Sequence, residues 1–260
     1  MRKIMFFLTK ALVVAMIISF PITNVQGGSY ELPDIDSANF VNPKDIGGKV
    51  DPNPYFPLVK GYKWVYEGGD ETITVEVTRA IKRIEYPPDS GQIIKCAVVR
   101  DVVEEYDEED GEYFVIEDTF DWYAQDFEGN VWYFGEYSEA YEYDEDGNIT
   151  IDTEGSWEAG VDDAEPGIIM LADPMPGISY QQEYYEGEAE DMGKVLRLNE
   201  SVSLEFFDDF DGCLVTKEWT PLEAGVVEQK YYAEDVGLVL IEELKGKTVR
   251  VELVETNFYP

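Results

Sequence analysis

Histidine does not occur in this 260-residue chain. Its absence removes Ser-His-Asp and Cys-His catalysis, imidazole-bearing zinc and copper sites, and ordinary pH switching near neutrality. Any metal must then be held by oxygen, and any acid–base chemistry falls to Asp, Glu, Lys or Tyr. Basic charge is scarce as well. Nineteen Lys and Arg stand against 56 Asp and Glu, a net charge of −37. Such a surface repels phosphate backbones and anionic lipid, so neither nucleic acid nor an anionic membrane surface is an expected partner. The same repulsion opposes pairing through exposed sheet edges, and a monomer is expected.

Cysteine is limited to Cys96 and Cys213, each inside an apolar, strand-like run. Two readings stay open: a disulfide between them, which an exported protein permits, or two buried thiols acting as small hydrophobes. Long apolar runs are missing too. The stretch after Lys10, Ala11 to Phe20, falls short of the roughly 20 residues that span a bilayer. With Met1-Arg2-Lys3 ahead of it and small residues near Gly27, it reads as a signal peptide over residues 1–27. The expected location is therefore the periplasm, the cell surface or the medium. Residues 1–27 carry Arg2, Lys3 and Lys10 and no acid, which leaves 16 basic against 56 acidic residues beyond them.

Acid excess of this size also marks disordered chains, but 18 Tyr, 13 Phe and 5 Trp supply far more apolar ring than a solvated tail carries. The chain folds, and it folds as sheet. No stretch keeps a helical period over three turns, whereas residues 72–78 alternate strictly, with Ile73, Val75 and Val77 on one face. Further strands are expected at 61–66, 93–103, 113–124, 131–134, 137–143, 149–151, 202–206, 213–219, 226–232, 236–244 and 249–254. Short connections at 233–235 and 245–247 force antiparallel neighbours. Residues 28–52 read as an irregular lead-in. Residues 154–187, with Gly or Pro every few positions, read as a long irregular loop region holding one or two short strands, and 190–196 as a short helix. The expected fold is all-β: a single curved antiparallel sheet or meander over residues 53–255, a half-barrel or open barrel.

Three stretches carry a resemblance. They are Asp121-Trp122-Tyr123-Ala124-Gln125-Asp126 with Gly129-Asn130-Val131-Trp132-Tyr133-Phe134-Gly135-Glu136, then Gly155-Ser156-Trp157-Glu158 with Tyr180-Gln181-Gln182-Glu183-Tyr184-Tyr185, then Lys217-Glu218-Trp219 with Lys230-Tyr231-Tyr232. Together they resemble a family of uncharacterised exported prokaryotic proteins. More distantly, the opening Phe56-Pro57-Leu58 and Trp64 and the closing Tyr231-Tyr232 look like exported lipoproteins with curved antiparallel sheets, LolA-like. The nearer likeness implies export and fold but no reaction. The distant one implies a half-barrel that contacts apolar ligands.

Two constellations are candidates for function. Trp122, Trp132, Phe134 and Trp157 could line a groove for a small apolar or aromatic-stacking ligand, or could simply pack a core. The turn Asp144-Glu145-Asp146-Gly147-Asn148 spaces its acids as calcium loops do, with Glu142, Asp144, Asp146 and Asn148 as candidate ligands for Ca2+. Asp-Gly is also ordinary hairpin chemistry. Carboxylate pairs such as Glu158 or Glu183 beside an aromatic keep a His-free hydrolase in view, although 56 acids make any pair unspecific. The leading expectation is a non-catalytic exported binding protein for a small apolar ligand. A calcium-stabilised envelope protein is the alternative.

Overall fold

The computed structural model describes residues 28–108, 111–144, 147–223, 225–244 and 249–258. The expected signal peptide lies outside them. The described chain is almost entirely antiparallel sheet, with two single 3-10 turns at Ser37–Asn39 and Pro43–Asp45. Its first half supplies β1 (Lys63–Gly68), β2 (Glu71–Glu85), β3 (Ile93–Asp107), β4 (Glu112–Gln125) and β5 (Val131–Tyr143). Short strands follow: β6 (Ile149–Asp152), β7 (Trp157–Glu158), β8 (Glu165–Met170), β9 (Ser179–Gln181) and β10 (Glu183–Tyr184). The last third is a meander of β11 (Met192–Val202), β12 (Phe210–Trp219), β13 (Glu228–Ala233), β14 (Gly237–Glu243) and β15 (Val249–Thr256).

The strands hydrogen-bond in the order β10-β8-β5-β4-β3-β2-β1-β15-β14-β13-β12-β11-β9, with β6 and β7 also on β5. β1 pairs with β15, so the two ends of the chain join the two halves of the sheet. β9 and β10 stand at opposite ends of this path, yet Gln182 alone separates them in sequence. The sheet must therefore curl until its two edges nearly meet. Among the described residues no ladder closes it, but the chain itself crosses the seam. Gly167 in β8 lies so close to that crossing that an added Cβ would sit 2.5 Å from the backbone of Gln181 and Gln182.

Curling gives the sheet an inner and an outer face, and both are covered in the first half. Directly paired residues share a face. Tyr123 opposite Tyr133 therefore marks the inner face and Ala124 opposite Trp132 the outer. The lead-in covers the outer one. Phe40 packs edge-on against Trp132 and Phe134 at 5.9 and 5.6 Å. The Val41 amide donates to the Gln125 carbonyl, and Val41 and Ile46 are buried. Asn53, also buried, fixes the end of this strap by donating from its side chain to the carbonyls of Gly129 and Leu171. Cover on both faces explains why Ile94 and residues 96–99 of β3 are buried without alternation.

Three expectations need correction. Residues 190–196 form no helix: 192–196 belong to β11, because Met192–Lys194 pair with both β12 and β9. The region 154–187 holds four short strands where one or two were expected. Residues 203–206 form no strand; the chain leaves the ladder after Val202. Cys96 on β3 and Cys213 on β12 are separate, buried, free thiols, so the disulfide is not formed.

Candidate functional site

The four aromatic candidates do not converge on one groove. Trp132 and Phe134 lie under the lead-in on the outer face, with the Trp132 indole N–H donating to Asp126 Oδ2 at 2.9 Å. Trp122 shares that face, and the Lys82 ammonium sits 3.9 Å from its ring centre. Trp157 alone looks inward, edge-on to Tyr133 at 5.3 Å. Three of the four pack the outer layer, as the core reading allowed.

The candidate calcium loop closes on itself. Asp144 accepts the Asn148 backbone amide at 2.8 Å and its side-chain amide at 2.9 Å. The turn at Asp126 repeats the device, one oxygen accepting the amides of Glu128, Gly129 and Asn130. These are side-chain-capped hairpin turns. Asp146 lies outside the described residues, and among the described ones no group of three acids is placed to hold a metal.

The sequence reading missed the inside of the curl. A cavity of about 210 Å³ lies there between the walls, bounded mainly by apolar side chains that include Trp64, Ile73, Val77, Val99 and Ile241. Asp101, Asp121 and Lys230 also line it. Cross-strand register puts the acids there: Asp101 stands between Val75 on β2 and Thr119 on β4, and Asp121 between Val99 on β3 and Glu136 on β5. A charged residue in phase with the apolar face, as in Val99-Arg100-Asp101-Val102-Val103, was the available signal.

Behind the cavity wall the acids form a buried group. The Tyr133 hydroxyl lies 2.7 Å from Asp121 Oδ1 and 2.8 Å from Glu136 Oε2. One phenol carries one proton, so both contacts are hydrogen bonds together only when a carboxyl contributes a second. Burial, more than any neighbour, raises Asp121 and Glu136 well above the carboxylate range. Burial followed by Glu117 pushes Asp101 up to about 7, and burial followed by Asp191 pushes Glu183 to about 8. Asp101 Oδ1 is closed off from solvent and has no hydrogen-bond partner.

Across the cavity, Lys230 reaches Glu218 at 2.7 Å and Glu228 at 3.6 Å. Burial pulls its ammonium down, but the two carboxylates outweigh burial and hold it above its ordinary value. Glu218 also takes hydrogen bonds from Thr216 at 3.0 Å and Tyr232 at 3.2 Å.

No family model matches the chain, and no curated protein matches it. Two solved structures are similar in part. One is a candidate lipoprotein from Parabacteroides distasonis, 13% identical, with a TM-score of 0.38 over 80% of this chain and 100% of that one. The other is a candidate exported protein with a YmcC-like fold from Bacteroides fragilis, 14% identical, with a TM-score of 0.32 over 78% of this chain and 99% of that one. At these scores neither likeness informs what the protein does.

Proposed function

We propose that this is an exported, non-catalytic binding protein that holds a small apolar ligand inside the curl of its sheet. The cavity carries the reading. At about 210 Å³ it exceeds the roughly 150 Å³ apolar cavity that is known to stay dry and take up benzene. Its walls, Trp64, Tyr66, Ile73, Val75, Val77 and Leu238 among them, offer apolar surface, and each Å² of ligand they cover contributes about 25 cal/mol. That suits a ring system or a short acyl chain. Export is read from the leader pattern of residues 1–27.

The test is calorimetric titration of hexanol into the wild-type protein and into Val99→Trp, whose larger side chain fills the cavity. Hexanol should bind the wild type and lose at least about tenfold in affinity in the variant, since about 1.4 kcal/mol suffices for that factor. Equal affinities would place the binding elsewhere and remove the proposal.

A further inference from the structure

We infer that the cavity's ligand is an apolar amine, its ammonium head received by Asp101. This rests on the cavity being a binding site and names what it takes. Buried polar atoms are nearly always paired, and an orphan in a ligand-sized space points to a missing partner. Asp101 lines the cavity, and its Oδ1, though sealed even from water, has no hydrogen-bond partner, so the carboxylate is under-satisfied where it borders that space. When Asp101 is ionised, the missing partner must donate a hydrogen bond.

Charge narrows the class. Asp101 is faced by Glu117 and Asp121 from β4, Glu136 from β5, Lys230 from β13 and the Tyr66 hydroxyl from β1, with Asp118 of β4 on the other face bound to Arg100. Lys230 already serves Glu218 and Glu228, and among the described residues no Lys or Arg forms an ion pair with Asp101 or Asp121. A carboxylate or phosphate ligand would meet this acidic wall with only Lys230, already paired to Glu218 and Glu228, to offset it. A neutral alcohol would satisfy the oxygen but leave the charge. A protonated amine does both, and the apolar lining takes the rest of the molecule.

Burial and the neighbouring acids raise Asp101 to about 7, so it is a carboxylate above that pH and neutral below it. An alkylammonium keeps its charge over the same range. Amine binding should therefore weaken on acidification.

The experiment compares hexylammonium, hexanol and hexanoate by calorimetry at pH 8.0 and fixed ionic strength, on the wild type, Asp101→Asn and Val99→Trp. Hexylammonium should bind at least tenfold tighter than hexanol, and hexanoate weaker than either. Asp101→Asn should abolish the amine's advantage over hexanol, both measured on the variant, while an unchanged circular-dichroism spectrum reports that the variant is folded. Lowering the pH to 5.5 should do the same to the wild type. Cavity-directed hexanol binding without preference for the amine would overturn the head-group assignment and leave the cavity reading standing; water would then be the partner of Asp101. Amine binding that survives Val99→Trp is attraction to the acidic surface and overturns the proposal. Failure of every probe overturns both readings.

Discussion

At Gly135 the chain crosses so close to β7 that an added Cβ would lie 2.3 Å from the carbonyl oxygen of Trp157, at a φ of +126°. The ladder slips here: Asp121 pairs with Glu136 and Tyr123 with Tyr133, leaving an extra residue on β5. The slip is what brings Tyr133 and Glu136 to the same face, where both meet Asp121. Gly135→Ala should therefore cost about 3 kcal/mol, read by urea unfolding, because contact and backbone both resist a Cβ. A loss below about 1 kcal/mol would mean that the strand yields easily. Tyr133→Phe removes the phenol that the buried carboxyls share and should cost about 1–3 kcal/mol. The loss should be larger at pH 8 than at pH 5, because the phenol's hydrogen bonds favour the ionised carboxyls. A pH-independent loss would show that the hydroxyl does not serve those groups.

Among the elements, the lead-in contributes more than its sequence suggests. Residues 28–52 have no period to read, yet Phe40 closes over Trp132 and Phe134, and Asp36 and Asn42 cap its two short turns. Phe40→Ala should destabilise by about 2 kcal/mol, somewhat under a fully buried Phe because its ring is partly exposed. Thermal unfolding checks this, and an unchanged Tm would deny the strap its role. The strands were legible because period-2 alternation and short polar turns are local signals: the alternation expected at 72–78 falls within β2, and the strand expected at 249–254 within β15. Which face each residue takes was not legible. It depends on bulges such as the one at Gly135 and on a cover that comes from distant sequence. Trp122 and Tyr123 are neighbours in the chain, but they serve opposite layers of the molecule. The inward acids were hidden for a different reason. With 56 acids in the chain, Asp101 and Asp121 stand out only once the register is known.

For the whole molecule, two electrostatic terms act in one direction. Buried Asp101 and Glu183 hold their protons in the folded state up to about 7 and about 8, against ordinary values of 3.8 and 4.5. A folded pKa above the unfolded one gives stability that is full below the unfolded value and lost as pH rises through the folded value. Stability should therefore fall between about pH 4 and pH 8, each such group contributing up to about 1.4 kcal/mol per pH unit. Repulsion among surface acids adds to the fall, but salt screens it. Urea unfolding in 0.5 M salt should retain part of the slope, and Asp101→Asn with Glu183→Gln should reduce that part, leaving the share of Asp121 and Glu136. A slope abolished by salt alone would assign it to the surface.

The account turns on whether the curl of the sheet is a binding space. Methyl NMR during titration with toluene tests that most directly. The account predicts that the methyl signals of Ile73, Val77, Val99 and Ile241, which line the cavity, shift together and saturate. Those of the exposed Ile149 and Ile151 should stay in place. Shifts confined to exposed residues, or no saturable shift of the lining methyls, would contradict it.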